Sequence, residues 1–508
     1  MSFREKSAWV MGAIMLATGV WYAQLVAAAP QAPVIGPLIP YVLAVIVLSI
    51  VAQVVLAVAS PKEADAPADE RERAAIDRAG HFSGAVLGFG VITAVPISLI
   101  AFAAAFGGWL LLDRKTKLTF TFRQALMLFL LVWAWFTMQG AQFPVEASEK
   151  WDWVWKTLVF AMFLPFTVTT RLRFEAAALV MVLTAGAIII SGGIKTVLGG
   201  GGYGTLAFFV NDNSGIYESS TISTVAIAII PLLYWFTRHG TVFPPSLPVK
   251  LFALGLAGAC LLIPIGTEAR TGLVCIAMLG LLVLRESKHK VLMMVGGVLL
   301  CVAAFPFLPQ SYADRMATMT QADEDESAST RVAVWEWTLD YVKEHPLGGG
   351  FEAYRANSFT YRMPQTTGTG NMTSTTYEKV TDEGRAYHSA IFEMLGEQGW
   401  PGLGAWLLLQ ALGLIQMERV RRRMRKRADP QLEWLGHLAI ALQYAQLIYL
   451  VGALFQGIAW QPFIMMLAGL QIALAIYAKR FDSPREATVG ERLAAQRRAG
   501  APDAVATG

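Results

Sequence analysis

The feature that most constrains this chain is a series of unbroken apolar blocks, each about 16 to 25 residues long, set between short charged stretches. At 1.5 Å per residue, a helix of that length crosses the roughly 30 Å hydrocarbon core of a bilayer. Inside lipid only helices and closed barrels satisfy every backbone N–H and C=O, and a barrel strand alternates apolar with polar residues. These blocks do not alternate, so helices are predicted: an all-α polytopic membrane protein. Composition agrees, with 55% hydrophobic and 15% charged residues against about 25% charged in an ordinary soluble chain.

The blocks fall at about 8–28, 36–60, 82–112, 124–139, 154–170, 174–194, 219–237, 249–264, 271–285, 290–309, 401–417, 434–455 and 461–478. Block 82–112 is long for one span and short for two, which leaves about 13 or 14 transmembrane helices. Lys and Arg in short loops set the orientation. The run Arg419, Arg421, Arg422, Arg423, Arg425, Lys426 and Arg427 marks the cytoplasm, as do Arg171 to Arg173, the loop with Arg238 and Lys250, and Arg285 to Lys290. Segments 140–153, 195–218, 265–270 and 310–400 then face the periplasm of a bacterial inner membrane. Arg4, Lys6 and the charged loop Lys62 to Arg78 put the N-terminus inside and favour the larger helix count.

The expected division is an N-terminal transmembrane module at 1–112, whose role the sequence leaves open, and a transmembrane core at 113–309. One large periplasmic loop domain at 310–400 follows, then C-terminal transmembrane helices at 401–478 and a flexible cytoplasmic tail at 479–508. The middles of the spans are almost free of ionisable residues, which counts against a proton- or ion-coupled transporter. Cys260, Cys275 and Cys301 lie in apolar blocks without CxxC spacing, so neither a disulfide framework nor a zinc site is expected. Residues 310–387 hold seven Arg and Lys against twelve Asp and Glu. Generic anion attraction therefore fails, no nucleic-acid partner is expected, and an anion would need a few specific arginines.

Three stretches could carry chemistry. In Gly266-Thr-Glu-Ala-Arg270-Thr-Gly272, an arginine stands at the mouth of a span. It is either an interfacial side chain reaching for water or a planar fork for phosphate oxygens. In Ser329-Thr-Arg331-Val-Ala-Val-Trp335, Ser329 or Thr330 can cap a helix that Arg331 opens. The downstream His345-Pro346 ends that helix, and Gly348 to Gly350 let backbone approach a ligand or another helix. In the third, His388 precedes a short helix and a bend at Gly399 to Gly402. That histidine either caps local structure or handles the proton of an incoming hydroxyl. Glu393 and Glu397 lie five and nine residues on, a spacing that implies no carboxylate–histidine dyad.

Taken in order, these motifs resemble the O-antigen ligase and polymerase superfamily. They read Arg270-Thr-Gly-Leu273, Arg331 with Trp335, Pro346-Leu-Gly-Gly-Gly350, His388, and Glu397-Gln-Gly-Trp-Pro-Gly-Leu403. Gly348-Gly-Gly-Phe-Glu-Ala353, His388-Ser-Ala-Ile-Phe-Glu-Met-Leu-Gly-Glu397 and Phe208-Phe-Val-Asn-Asp-Asn213 are most similar to the exosortase-associated O-glycosylation ligases of that superfamily. The resemblance covers roughly 124–417. It implies a metal-independent inverting glycosyltransferase that needs no cofactor. Such an enzyme passes a glycan from an undecaprenyl-diphosphate donor to a lipid or protein acceptor outside the inner membrane, among membrane lipids. His388 would then be catalytic, and Arg270 and Arg331 the diphosphate ligands. Asn211, Asp212, Asn213 and Glu397 would be sugar or acceptor contacts. A polymerase of the same superfamily shares the donor site, and a lipid or glycan transporter is the reading from another class.

Overall fold

The computed structural model describes residues 119–199, 219–292, 294–295, 326–367, 374–427 and 429–481, with a few isolated positions before 119. Most of the expected 1–112 module, most of block 290–309, the 482–508 part of the tail, and Asn211, Asp212 and Asn213 lie outside the described residues. The described blocks from 124–139 to 461–478 are all helical. They are α1 (Phe122–Gln139), α2 (Pro144–Thr167), α3 (Arg171–Gly199), α4 (Ser219–His239), α5 (Leu247–Gly266) and α6 (Arg270–Glu286), followed after α7 (Glu326–Glu344) by α8 (Ala390–Arg427), α9 (Glu433–Ala453) and α10 (Pro462–Lys479). Five segments are long and apolar enough to cross a membrane by length and composition: Arg171–Ile194, Ser219–His239, Leu247–Gly266, Pro430–Ala453 and Pro462–Lys479.

Local chemistry sets the helix starts. Thr121 caps α1 in a capping box: it accepts from the Gln124 N–H at 3.3 Å while its own N–H donates to Gln124 Oε1 at 2.9 Å. Proline stands in the first turn of α2, α5 and α10, where its missing N–H leaves no bond unmade. α7 begins at Glu326, five residues before Arg331. Ser329 and Thr330 are therefore inside the helix rather than at its cap, and Arg331 lies in the second turn. Thr330, Val334, Thr338 and Val342, four residues apart, form its buried stripe.

One element departs from helix. β1 (Ser358–Thr367) and β2 (Ser374–Glu383) form an antiparallel hairpin, with Ser358 opposite Glu383 and Thr367 opposite Ser374. No strand is expected in the 310–400 loop from an all-α pattern, yet this stretch is rich in Thr, Tyr and Val, residues that suit a pleated surface. Thr360 and Thr381 bridge the strands through their hydroxyls at 3.0 Å.

The bundle helices alternate in direction, so their ends sort into two layers. One end is basic. There Arg171 donates to His239 O at 2.7 Å, Arg421 meets Glu286 at 3.3 Å, Arg480 donates to Thr169 O at 3.0 Å, and Arg123 donates to Gln416 at 2.9 Å. The opposite end gathers the segments about 140–150, 219–224, 266–272, 346–354, 384–399 and 454–461. Thr267 bonds Ser223 at 3.1 Å, Thr221 donates to Gln456 at 2.7 Å, and Ala459 N–H donates to Glu393 at 2.9 Å. From Trp400 to Met417 the eighteen residues of α8 span about 27 Å, close to one hydrocarbon thickness.

Candidate active site

α8 is broken near its start: Gly399 has φ 64 and ψ −168 inside an otherwise helical run, and Pro401 follows. The broken turn exposes backbone groups, and the glycine run after α7 takes them up. Gly349 N–H donates to Gly396 O at 2.9 Å, Gly350 N–H to Glu397 O at 3.0 Å, and Trp400 N–H to Pro346 O at 3.1 Å. A Cβ on Gly348 would strike Glu397 O and Gly399 N, and one on Gly399 would strike Pro346 O. The glycines thus serve a backbone-to-backbone approach between two segments of the chain. His345, exposed, bonds its N–H to Tyr341 O and stacks on the Tyr341 ring at 4.3 Å. It ends the helix.

His388 sits just before α8 with φ 48, the left-handed region that costs a non-glycine residue about 1–2 kcal/mol. Three contacts hold this stretch. Trp335, one turn after Arg331, donates its indole N–H to Tyr387 O at 2.9 Å and stacks on Phe392 at 4.9 Å. Tyr354 meets the Tyr387 ring edge-on at 5.6 Å. Buried Asn357 grips the Arg385 backbone from both sides, at 2.7 and 2.9 Å. Burial, together with the Arg331 and Arg385 guanidiniums, pulls the His388 imidazole down to about 4. The structure therefore brings Arg331, Arg385 and His388 into one electrostatic neighbourhood.

Arg270 opens α6 from an extended Ala269, half-buried, at the positive end of the helix dipole. A cation is disfavoured there, so helix formation does not account for it. Its turn is pinned to α4 by Thr267 and by Gly272, which packs on Pro264 and Ser223. Arg270 thus shares the end of the bundle that carries His388, but it is not among the charges that shift that imidazole.

Glu397 lies elsewhere in the same layer. It is wholly buried and accepts from Lys150 Nζ at 2.7 Å and from the Glu352 N–H at 3.0 Å. Glu393, one turn earlier, meets the same ammonium at 2.8 Å, and Glu352 stands 3.7 Å from it. One cation thus faces three carboxylates. Burial alone would lower the Lys150 ammonium, but Glu393, Glu397 and Glu352 outweigh it and raise it. Burial also raises the Glu397 carboxyl; Lys150 opposes this and the two other carboxylates reinforce it. Glu397 Oε2 is buried without a hydrogen-bond partner among the described residues. A cleft of about 320 Å³ opens over this cluster, lined by Glu146, Glu149, Tyr354, Trp153 and Trp460 among others.

Sequence reasoning missed Lys150 and Arg385, and weighed Glu393 only as a partner for His388. Lys150 reads as one charge in a short charged stretch, and its partners lie more than two hundred residues away. The available signal was the i,i+4 spacing of Glu393 and Glu397, which aims two carboxylates at one point. No group of side chains suited to hold a metal occurs among the described residues.

Two family models match parts of the chain. Residues 254–407 match the O-antigen ligase family model. The O-antigen ligase match takes in Arg270, Arg331, Glu352, Arg385, His388, Glu393 and Glu397. It supports the O-antigen ligase superfamily and, with it, a ligase- or glycosyltransferase-type enzyme in a multi-pass membrane protein. Residues 82–241 match a family of unknown function (DUF5935), which takes in Lys150 and the Asn211 to Asn213 stretch. No curated protein gives a significant match.

Proposed function

We propose that the protein transfers a glycan from an undecaprenyl-diphosphate carrier to an acceptor at the periplasmic face of the inner membrane, without a metal. The observation that carries this reading is the placement of His388 at one end of the bundle, where Trp335 ties the helix of Arg331 to Tyr387 and Asn357 holds the Arg385 backbone. The acceptor hydroxyl oxygen attacks the anomeric carbon, the bond from that carbon to the diphosphate oxygen breaks, and configuration inverts. The hydroxyl proton passes to His388. Negative charge grows on the departing diphosphate, which Arg331, Arg385 and Arg270 stabilise.

The same arginines make His388 a weak base in the empty enzyme. A bound diphosphate neutralises them, so the imidazole gains basicity when the donor is in place. The half-enclosed cleft beside Lys150, with carboxylates and aromatic rings, suits sugar hydroxyls and their apolar faces, which is where Glu393 and Glu352 would contact glycan.

The test is transfer by purified protein from lipid-linked donor to acceptor. His388→Ala should abolish turnover, and Arg270→Gln combined with Arg331→Gln should abolish donor binding. Unchanged transfer by the first variant, or unchanged binding by the second, removes the assignment. A polymerase is the second reading because the donor chemistry is shared. A deletion strain that accumulates full-length polymer on the carrier identifies a ligase, whereas transfer of single repeats identifies a polymerase.

A further inference from the structure

A second cavity, of about 740 Å³, lies at the basic end of the bundle, one helix length from His388. Among the described residues four cations line it, Arg123, Arg419, Lys479 and Arg480, and no Asp or Glu does. Arg123 is only 4% exposed. Its guanidinium donates to two neutral amides, Gln416 Oε1 and Gln471 Oε1, each at 2.9 Å, and its Nε has no partner among the described residues. Two neutral dipoles do not offset a buried charge, and three further cations on the same cavity add to the cost.

The guanidinium is nonetheless held in place. The Gln471 amide N–H donates to Gln446 Oε1 at 2.8 Å, and Gln446 donates to Gln410 at 2.7 Å. That chain commits each amide's nitrogen inward and leaves the Gln471 oxygen to Arg123. Gly413 makes room for it, because a Cβ there would meet Gln471 Oε1, Arg123 Nη2 and Gln446 Oε1. The rest of the wall is apolar and includes Phe122, Leu412 and Ile476. A fixed, anion-hungry fork beside an apolar wall at a membrane surface matches a headgroup phosphate whose acyl chains run along the helices.

We propose that this cavity binds the phosphate headgroup of an anionic phospholipid, with Arg123 as the buried ligand and Arg419, Lys479 and Arg480 closing over it. The site is separate from the proposed transfer chemistry and stands or falls without it.

The test uses the full chain in nanodiscs of phosphatidylcholine mixed with phosphatidylglycerol, with lipid retained on mild detergent extraction read by native mass spectrometry. Wild-type protein should retain one phosphatidylglycerol in preference to phosphatidylcholine. The triple variant Arg419→Gln, Lys479→Gln, Arg480→Gln leaves buried Arg123 in place and should weaken that preference about tenfold or more, given the worth of each surface cation to an anionic lipid. The control Arg425→Gln, Lys426→Gln, Arg427→Gln removes equal charge outside the cavity and should leave it unchanged. Excess inorganic phosphate should not displace the lipid. Equal retention of both lipids by wild type, equal loss in both triple variants, or displacement by inorganic phosphate would each overturn the proposal.

Discussion

At the scale of the residue, two side chains have their protonation set by burial and neighbouring charges together. His388 has a folded value of about 4 against an ordinary 6.5, set by burial and then by Arg331 and Arg385. The unfolded chain therefore binds the proton first. The stability this group contributes is complete above about pH 6.5 and is lost as pH falls towards 4. Removing one push should raise the imidazole: in Arg331→Gln, the His388 ring should titrate closer to its ordinary value by NMR. No shift would show that Arg331 does not act on it. Lys150 runs the other way. Its ammonium is raised, so its contribution persists below its ordinary value and is lost only on strong alkalinisation, whereas the share from Glu397 falls as pH climbs above the normal carboxylate range. Lys150→Met should destabilise the fold by about 3–5 kcal/mol, because buried Glu393 and Glu397 then lack their counter-ion, while Glu352 keeps Arg355 at 3.2 Å. Thermal unfolding in detergent measures it, and further loss as pH rises from mildly acidic to neutral would mark the exposed carboxylates as the cause. Arg331 and His388 could be singled out from the sequence because each sits in a dense local motif. Lys150 could not, because the contacts that define it join distant segments.

At the scale of the element, the break in α8 and the glycine run after α7 form one unit. Gly348, at φ 94, and Gly399, at φ 64, sit where a side chain meets opposing backbone rather than a movable neighbour. Gly348→Ala or Gly399→Ala should each cost more than about 1 kcal/mol from conformation alone, and both should separate the three bridging hydrogen bonds. Hydrogen exchange at Gly349, Gly350 and Trp400 is the direct readout, and retained protection in both variants would show that the junction tolerates a Cβ. The bend was legible as Gly-x-x-Gly with proline, and the helix stop as His345-Pro346. That the two features answer each other was not legible, since glycine spacing signals close approach without naming the partner. The hairpin escaped for a related reason: among the described residues its Thr-rich strands pair only with one another, and they carry no strong apolar alternation to announce them.

At the scale of the whole molecule, charge is segregated along the bundle, with Arg171, Arg421 and Arg480 at one end and the Arg270, His388 and Lys150 groups at the other. Block lengths made the helices readable, and basic loops sorted their ends; which spans touch which was beyond a pattern of hydropathy. The sidedness is open to a direct check. In intact cells carrying Cys301→Ser, a membrane-impermeant maleimide should label His345→Cys and leave Arg425→Cys untouched, with the buried Cys260 and Cys275 as quiet background. The reverse pattern would invert the orientation. The ion cluster has a further consequence. Its lysine falls in the segment 82–241 and its three carboxylates in the segment 254–407, so the two stretches share one electrostatic lock. A recombinant exchanging either stretch alone would inherit half a lock, and an inserted stretch could be compatible only by bringing a matching charge at that point. Any hybrid chain should therefore be cut so that these four positions travel together.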